Sequence, residues 1–96
     1  MSISQNELTA ITQKAISLFN RIRSPIVIAK ASVVLPEVII ITFSGSFCYE
    51  CGSVSDYVEG FAQNFKILNS KVELKPMKNR QISPRSFEVT YLVRHR

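Results

Sequence analysis

Cys48 and Cys51 are the only cysteines in the 96-residue chain, and they form one Cys-x-x-Cys pair, Cys48-Tyr49-Glu50-Cys51. That spacing lets both sulfurs point at one metal atom or close on each other. The pair follows a β-branched run and precedes a helical pattern, so it is expected where a strand ends and a helix begins. Unpaired backbone N–H groups and the positive end of the helix dipole gather there and favour an anion. A thiolate is such an anion, and it is the form that binds metals and attacks disulfides. Glu50, between the two cysteines, works against that effect.

A tetrahedral structural zinc site takes four ligands. One chain offers two cysteines and a single distant histidine, His95, so it cannot close such a site alone. Two copies would supply four thiolates, a set that suits zinc or an iron–sulfur cluster bridging two subunits. The same two residues are also open to a local disulfide, to a redox role, or to inert packing as small hydrophobes. A thioredoxin-like oxidoreductase is not expected, because a helix and a hairpin precede the motif where that fold needs a βαβ unit.

The run Ile39-Ile40-Ile41-Thr42-Phe43-Ser44-Gly45-Ser46-Phe47-Cys48-Tyr49-Glu50-Cys51 resembles the signature of NifU C-terminal-like (Nfu) domains. That signature is a β-strand, a glycine and a Cys-x-x-Cys opening a helix, and the family's αββαβ order is similar over residues 5–75. The resemblance implies a homodimer that holds a [4Fe–4S] cluster on Cys48 and Cys51 of each subunit and delivers it to client apo-proteins. Three departures stand out. Only Ser24-Pro25 occupies the place of the family's proline and glycine pair, Gly52-Ser53 replaces the common Pro-Ser, and the strand at 86–94 is additional.

A second candidate is electrostatic. The net charge is +5, and it is unevenly placed. Residues 1–65 carry four Lys/Arg and five Asp/Glu, a sum of −1, whereas residues 66–96 carry eight against two, a sum of +6. Such an excess favours an anionic partner, with a solvated basic face as the plain alternative. Lys75, Lys78, Arg80 and Arg85 are the candidate nucleic-acid contacts, expected on a basic, turn-rich connection over 75–85. They would grip phosphates in a salt-sensitive, largely sequence-independent way. No aromatic residue lies in this stretch to stack on bases. The element order also resembles type II KH and ribosome-binding-factor domains, but the chain has no G-x-x-G loop.

Enzymatic chemistry is not expected. His95 stands one residue from the C-terminus, where a frayed imidazole serves no nucleophile. No phosphate loop or dinucleotide fingerprint occurs. Phe47 and Tyr49 are expected to shield the cysteine loop.

The elements that must position these groups follow from pattern. Ser4-Gln5-Asn6-Glu7 is a capping box, and Leu8, Ile11, Ala15, Leu18, Phe19 and Ile22 trace one helical face up to Ser24-Pro25. Residues 26–34 and 38–43 read as strands joined by Leu35-Pro36-Glu37. A second helix starts after Ser53, with Val54, Tyr57, Val58, Phe61, Phe65 and Leu68 apolar, and closes at Asn69-Ser70. Residues 71–75 and 86–94 read as the last two strands, the latter alternating Phe87, Val89, Tyr91 and Val93 with polar neighbours. The expected fold is α+β, a single domain over 1–96: a two-layer αββαββ sandwich with two helices on one face of a mainly antiparallel four-stranded sheet.

The second strand is apolar on both faces, Val38 and Ile40 opposing Ile39, Ile41 and Phe43. A homodimer is the simplest way to cover the second face. The αββ order occurs twice, and Thr42-Phe43, Thr90-Tyr91, Pro36 and Pro84 repeat at a spacing of 48, which suggests duplication. No run nears the roughly 20 apolar residues of a membrane helix, and the N-terminus lacks a signal pattern, so a cytoplasmic protein is expected.

Overall fold

Helix α1 (Gln5–Arg23) starts at the expected cap. The Ser4 hydroxyl accepts the Glu7 N–H at 3.2 Å, and the Ser4 carbonyl accepts the Leu8 N–H at 2.9 Å. Glu7 turns back onto the Ser4 hydroxyl, at 3.5 Å, rather than onto the Ser4 amide. These contacts come from a computed structural model that describes residues 4–23, 27–45, 54–69 and 71–95.

The buried stripe of α1 is Leu8, Thr12, Ala15, Ile16 and Phe19. Ile22 has the right direction but stands in the last turn, uncovered and 63% exposed. Thr12, a polar residue in the core, satisfies its hydroxyl on the Leu8 carbonyl at 2.7 Å.

Strands β1 (Val27–Val34) and β2 (Val38–Gly45) form the expected hairpin, closed by Leu35 N–H donating to the Val38 carbonyl at 2.9 Å. In β2, Ile39, Ile41 and Phe43 are fully buried, while Val38, Ile40 and Thr42 are half-buried on the opposite face. Gly45 ends the strand with φ at 148°, a value costly for any residue with a Cβ. Helix α2 (Val54–Leu68) buries Val58, Phe61 and Phe65 and leaves Leu68 40% exposed. Asn69 ends it: its N–H donates to the Phe65 carbonyl, and its side-chain oxygen accepts the Lys71 N–H at 2.7 Å.

The third strand departs from expectation. β3 runs Val72–Ser83, and only Pro84 and Arg85 separate it from β4 (Ser86–His95). The stretch expected as a basic loop is therefore paired strand. Pro76 is tolerated because β3 is an edge strand and slips register there, between Pro76 and Lys78, and again between Gln81 and Ser83. His95, expected to fray, instead pairs with Val72 and sets Nε2 3.1 Å from the Pro36 carbonyl oxygen.

All neighbouring strands are antiparallel, in the order β1-β2-β4-β3, with α1 against β1 and α2 against β3 on one face. Beneath the helices lies an aromatic core. Phe43 stacks on Phe87 at 5.1 Å, and Phe19 meets Phe43 edge-on at 5.3 Å and Phe61 at 6.2 Å. Tyr91 is fully buried and donates its hydroxyl to the Val58 carbonyl at 2.8 Å.

This order is what two αββ units give when related by a two-fold axis between β2 and β4. Ile41 pairs with Val89, and 89 − 41 = 48 is the spacing of the sequence repeats. Phe43 and Tyr91 are both buried, and Pro36 and Pro84 both stand in hairpin turns.

Candidate nucleic-acid interface on the open sheet face

Side chains alternate across a strand, so the residues between the buried ones point away from the helices. On β1 these are Ile28 and Lys30; on β2, Val38, Ile40, Thr42 and Ser44; on β4, Ser86, Glu88, Thr90, Leu92 and Arg94. On β3, Glu73 and Lys75 alternate with buried Val72 and Leu74. The register slip after Pro76 then sets Lys78 opposite Thr90 and Arg80 opposite Glu88, keeping both on the same face. In an unbroken register Lys78 would pair with Val89 and point to the helix side.

The ladders connect these residues into cross-strand rows. One row is Lys30, Thr42, Glu88 and Arg80; the next contains Val33, Ile40, Thr90 and Lys78; a third contains Val38, Leu92 and Lys75. Among the described residues the open face thus bears Lys30, Lys75, Lys78, Arg80 and Arg94 against Glu73 and Glu88. A shallow groove of about 410 Å³ is lined by Ile40, Lys78, Asn79, Arg80, Glu88 and Thr90.

One pair on this face is internally neutralised. Arg80 binds Glu88 at 2.8 Å, with the arginine side chain 72% exposed. With its arginine end so open to water, the pair is worth about 0–1 kcal/mol. At the rim, the Ser32 and Thr42 hydroxyls bond at 2.6 Å, as do Ser83 and Ser86 beside the β3–β4 turn.

Of the four basic residues expected on the connection, three share the open face: Lys75, Lys78 and Arg80. Arg85 stands in the hairpin turn, where its carbonyl accepts the Gly45 N–H at 2.9 Å. Arg94, within the basic last third, and Lys30, outside it, complete the set. The signal for Lys30 is the apolar–polar alternation of Ala29, Lys30, Ala31 and Ser32, in a strand whose neighbours the sequence does not give.

Cys48 and Cys51 lie outside the described residues, as does Ser53, the expected cap of α2. Among the described residues no three His, Cys, Asp or Glu side chains are grouped to hold a metal ion. No described helix is long and apolar enough to cross a membrane. Comparison with protein-family models, curated proteins and solved structures yields no match for the chain.

Proposed function

We propose that this chain binds nucleic acid through its phosphate backbone, on the face of the sheet that the helices leave open. The observation that carries this reading is the gathering of five cations from β1, β3 and β4 against two carboxylates on that one face. Hydroxyls of Thr90 and Ser44 lie among them as neutral donors for phosphate and sugar oxygens. The edge of β3 is a poor place for a partner strand, since Pro76 and two register slips break its ladder. The partner is therefore expected on the face rather than along the edge. No reaction belongs to this reading.

The test is binding as a function of salt. Fluorescence anisotropy with a labelled oligonucleotide should show affinity falling steeply with ionic strength. Lys75→Glu with Lys78→Glu should cost at least about tenfold at low salt and flatten the salt slope by roughly two. Affinity untouched by that double variant would refute the reading.

A second reading rests on a different observation: the segment 46–53, with Cys48 and Cys51, joins β2 to α2 inside an αββαβ order. Together with the resemblance to Nfu domains, this favours an iron–sulfur cluster or zinc shared by two subunits. Protein purified without oxygen would then contain iron or zinc and run as a dimer. Metal content unchanged by Cys48→Ser with Cys51→Ser would exclude it.

A further inference from the structure

We infer that the nucleic acid this face takes is a double helix, straddled across a groove, rather than a single strand; the inference rests on the backbone-binding reading above. Two independent features carry it. The first is the distribution of aromatic rings. Sequence-tolerant binding of single strands relies on bases stacking on exposed aromatic side chains. Here Phe19, Phe43, Phe61, Phe65, Phe87 and Tyr91 are all buried, and Tyr57 is half-buried on the helical side against Phe19. Among the described residues the open face presents no ring on which an unstacked base could lie.

The second feature is a symmetric pair among the charges, one on each edge strand. Lys30 faces Thr42 across the β1–β2 ladder, and Lys78 faces Thr90 across the β3–β4 ladder. Both members of the second pair lie 48 residues after the first, 78 − 30 and 90 − 42, so the two-fold axis through Ile41 and Val89 exchanges them. Arg80 and Glu88 cancel within the Lys30 row, so this row and the Lys78 row each keep one net positive charge; Lys75 adds a third on the β3 side, where its counterpart on β1 is Ile28. The charges stand on opposite edge strands, three strand spacings or about 14 Å apart across the sheet and one row apart along it. A single strand offers one file of phosphates and would engage only one rim. A duplex offers two antiparallel files related by a two-fold axis, with a major groove of about 12 Å between them in DNA. Protein and duplex dyads coincide for the same reason in symmetric DNA-binding dimers.

The intact chain should be titrated, at one low salt concentration, into three labelled probes: a DNA duplex of about two helical turns, an RNA duplex of equal length, and a single strand. At least one duplex should bind about tenfold or more tightly than the single strand, and which one does so identifies the groove geometry. Lys30→Glu and Lys78→Glu should weaken duplex binding by similar factors, each about tenfold, while Lys30→Glu leaves the single strand nearly unchanged. Lys30→Gln, milder toward folding, should give the same ranking. A single strand bound as tightly as either duplex, or duplex binding indifferent to Lys30, overturns the inference while leaving backbone binding in place. If none of the three probes binds, the backbone reading itself fails.

Discussion

Tyr91 concentrates much of what single residues contribute here. It is fully buried between the sheet and α2, and its hydroxyl reaches the Val58 carbonyl at 2.8 Å. Burial disfavours the phenolate and pushes the phenol well above its ordinary pKa of about 10. The unfolded chain has no such protection. Stability is therefore fully present below about pH 10 and falls as pH rises beyond it, by up to about 1.4 kcal/mol per pH unit. Tyr91→Phe removes this dependence. It should cost only about 0.5–1.5 kcal/mol at neutral pH, because the Val58 carbonyl retains its place in the helix ladder. Urea unfolding at neutral and alkaline pH checks both parts. Equal alkaline loss in the two proteins would show that Tyr91 is not the group responsible.

At the scale of elements, the question is how a sheet with two free edges stays unpaired. The β3 edge is broken by Pro76 and by register slips that leave Met77 and Ile82 exposed. The β1 edge is closed differently, by side chains of α1. Asn20 accepts the Ala29 N–H at 2.7 Å and donates to the Ala29 carbonyl at 3.2 Å, occupying both groups a further strand would use. Gln5 does the same for the Val34 carbonyl at 2.8 Å. Asn20→Ala should therefore destabilise the chain by about 1–3 kcal/mol. It should also promote self-association at this edge, seen as a concentration-dependent shift in light scattering. A variant as stable and as dispersed as the parent would mean the amide contributes nothing.

Pattern alone revealed much of this level. The Ser4 cap, the β1–β2 hairpin and the alternation of β4 follow from local rules that tertiary contacts did not override. The length of β3 was hidden, because Pro76, Asn79 and Pro84 among charged residues compose like a loop. Those residues are held extended by β4, a partner that local composition does not encode. Lys30 was missed for a related reason: it joins Lys78 and Arg80 only through the strand order β1-β2-β4-β3. The repeat at 48 residues was the available clue, since it maps Lys30 onto Lys78.

For the whole molecule, the decisive fact is that the two αββ units share one core. Phe43 belongs to the first unit and stacks on Phe87 of the second; Phe19 of the first meets Phe61 of the second; β2 and β4 join the two halves of the sheet. An internal repeat could in principle unfold one unit at a time, but here each unit's aromatic residues are buried against the other's. Unfolding should therefore be a single cooperative transition, with an m value in urea of about 1–3 kcal/mol per molar. Phe87→Ala tests the coupling. Truncation of this ring should cost about 3–5 kcal/mol, since Phe43, stacked on it from the adjacent strand β2, is held by the ladder and collapses only partly into the space. Helical circular dichroism reports mainly on α1 and α2, while tyrosine fluorescence reports on Tyr57 and Tyr91 in the second unit's elements and on Tyr49 in the segment before them. If the halves are one cooperative body, both signals shift together to lower urea in the variant. Tyrosine fluorescence moving while helical signal divides into two steps would mean that the first unit stands on its own, and the shared aromatic core would then not be what joins the two halves.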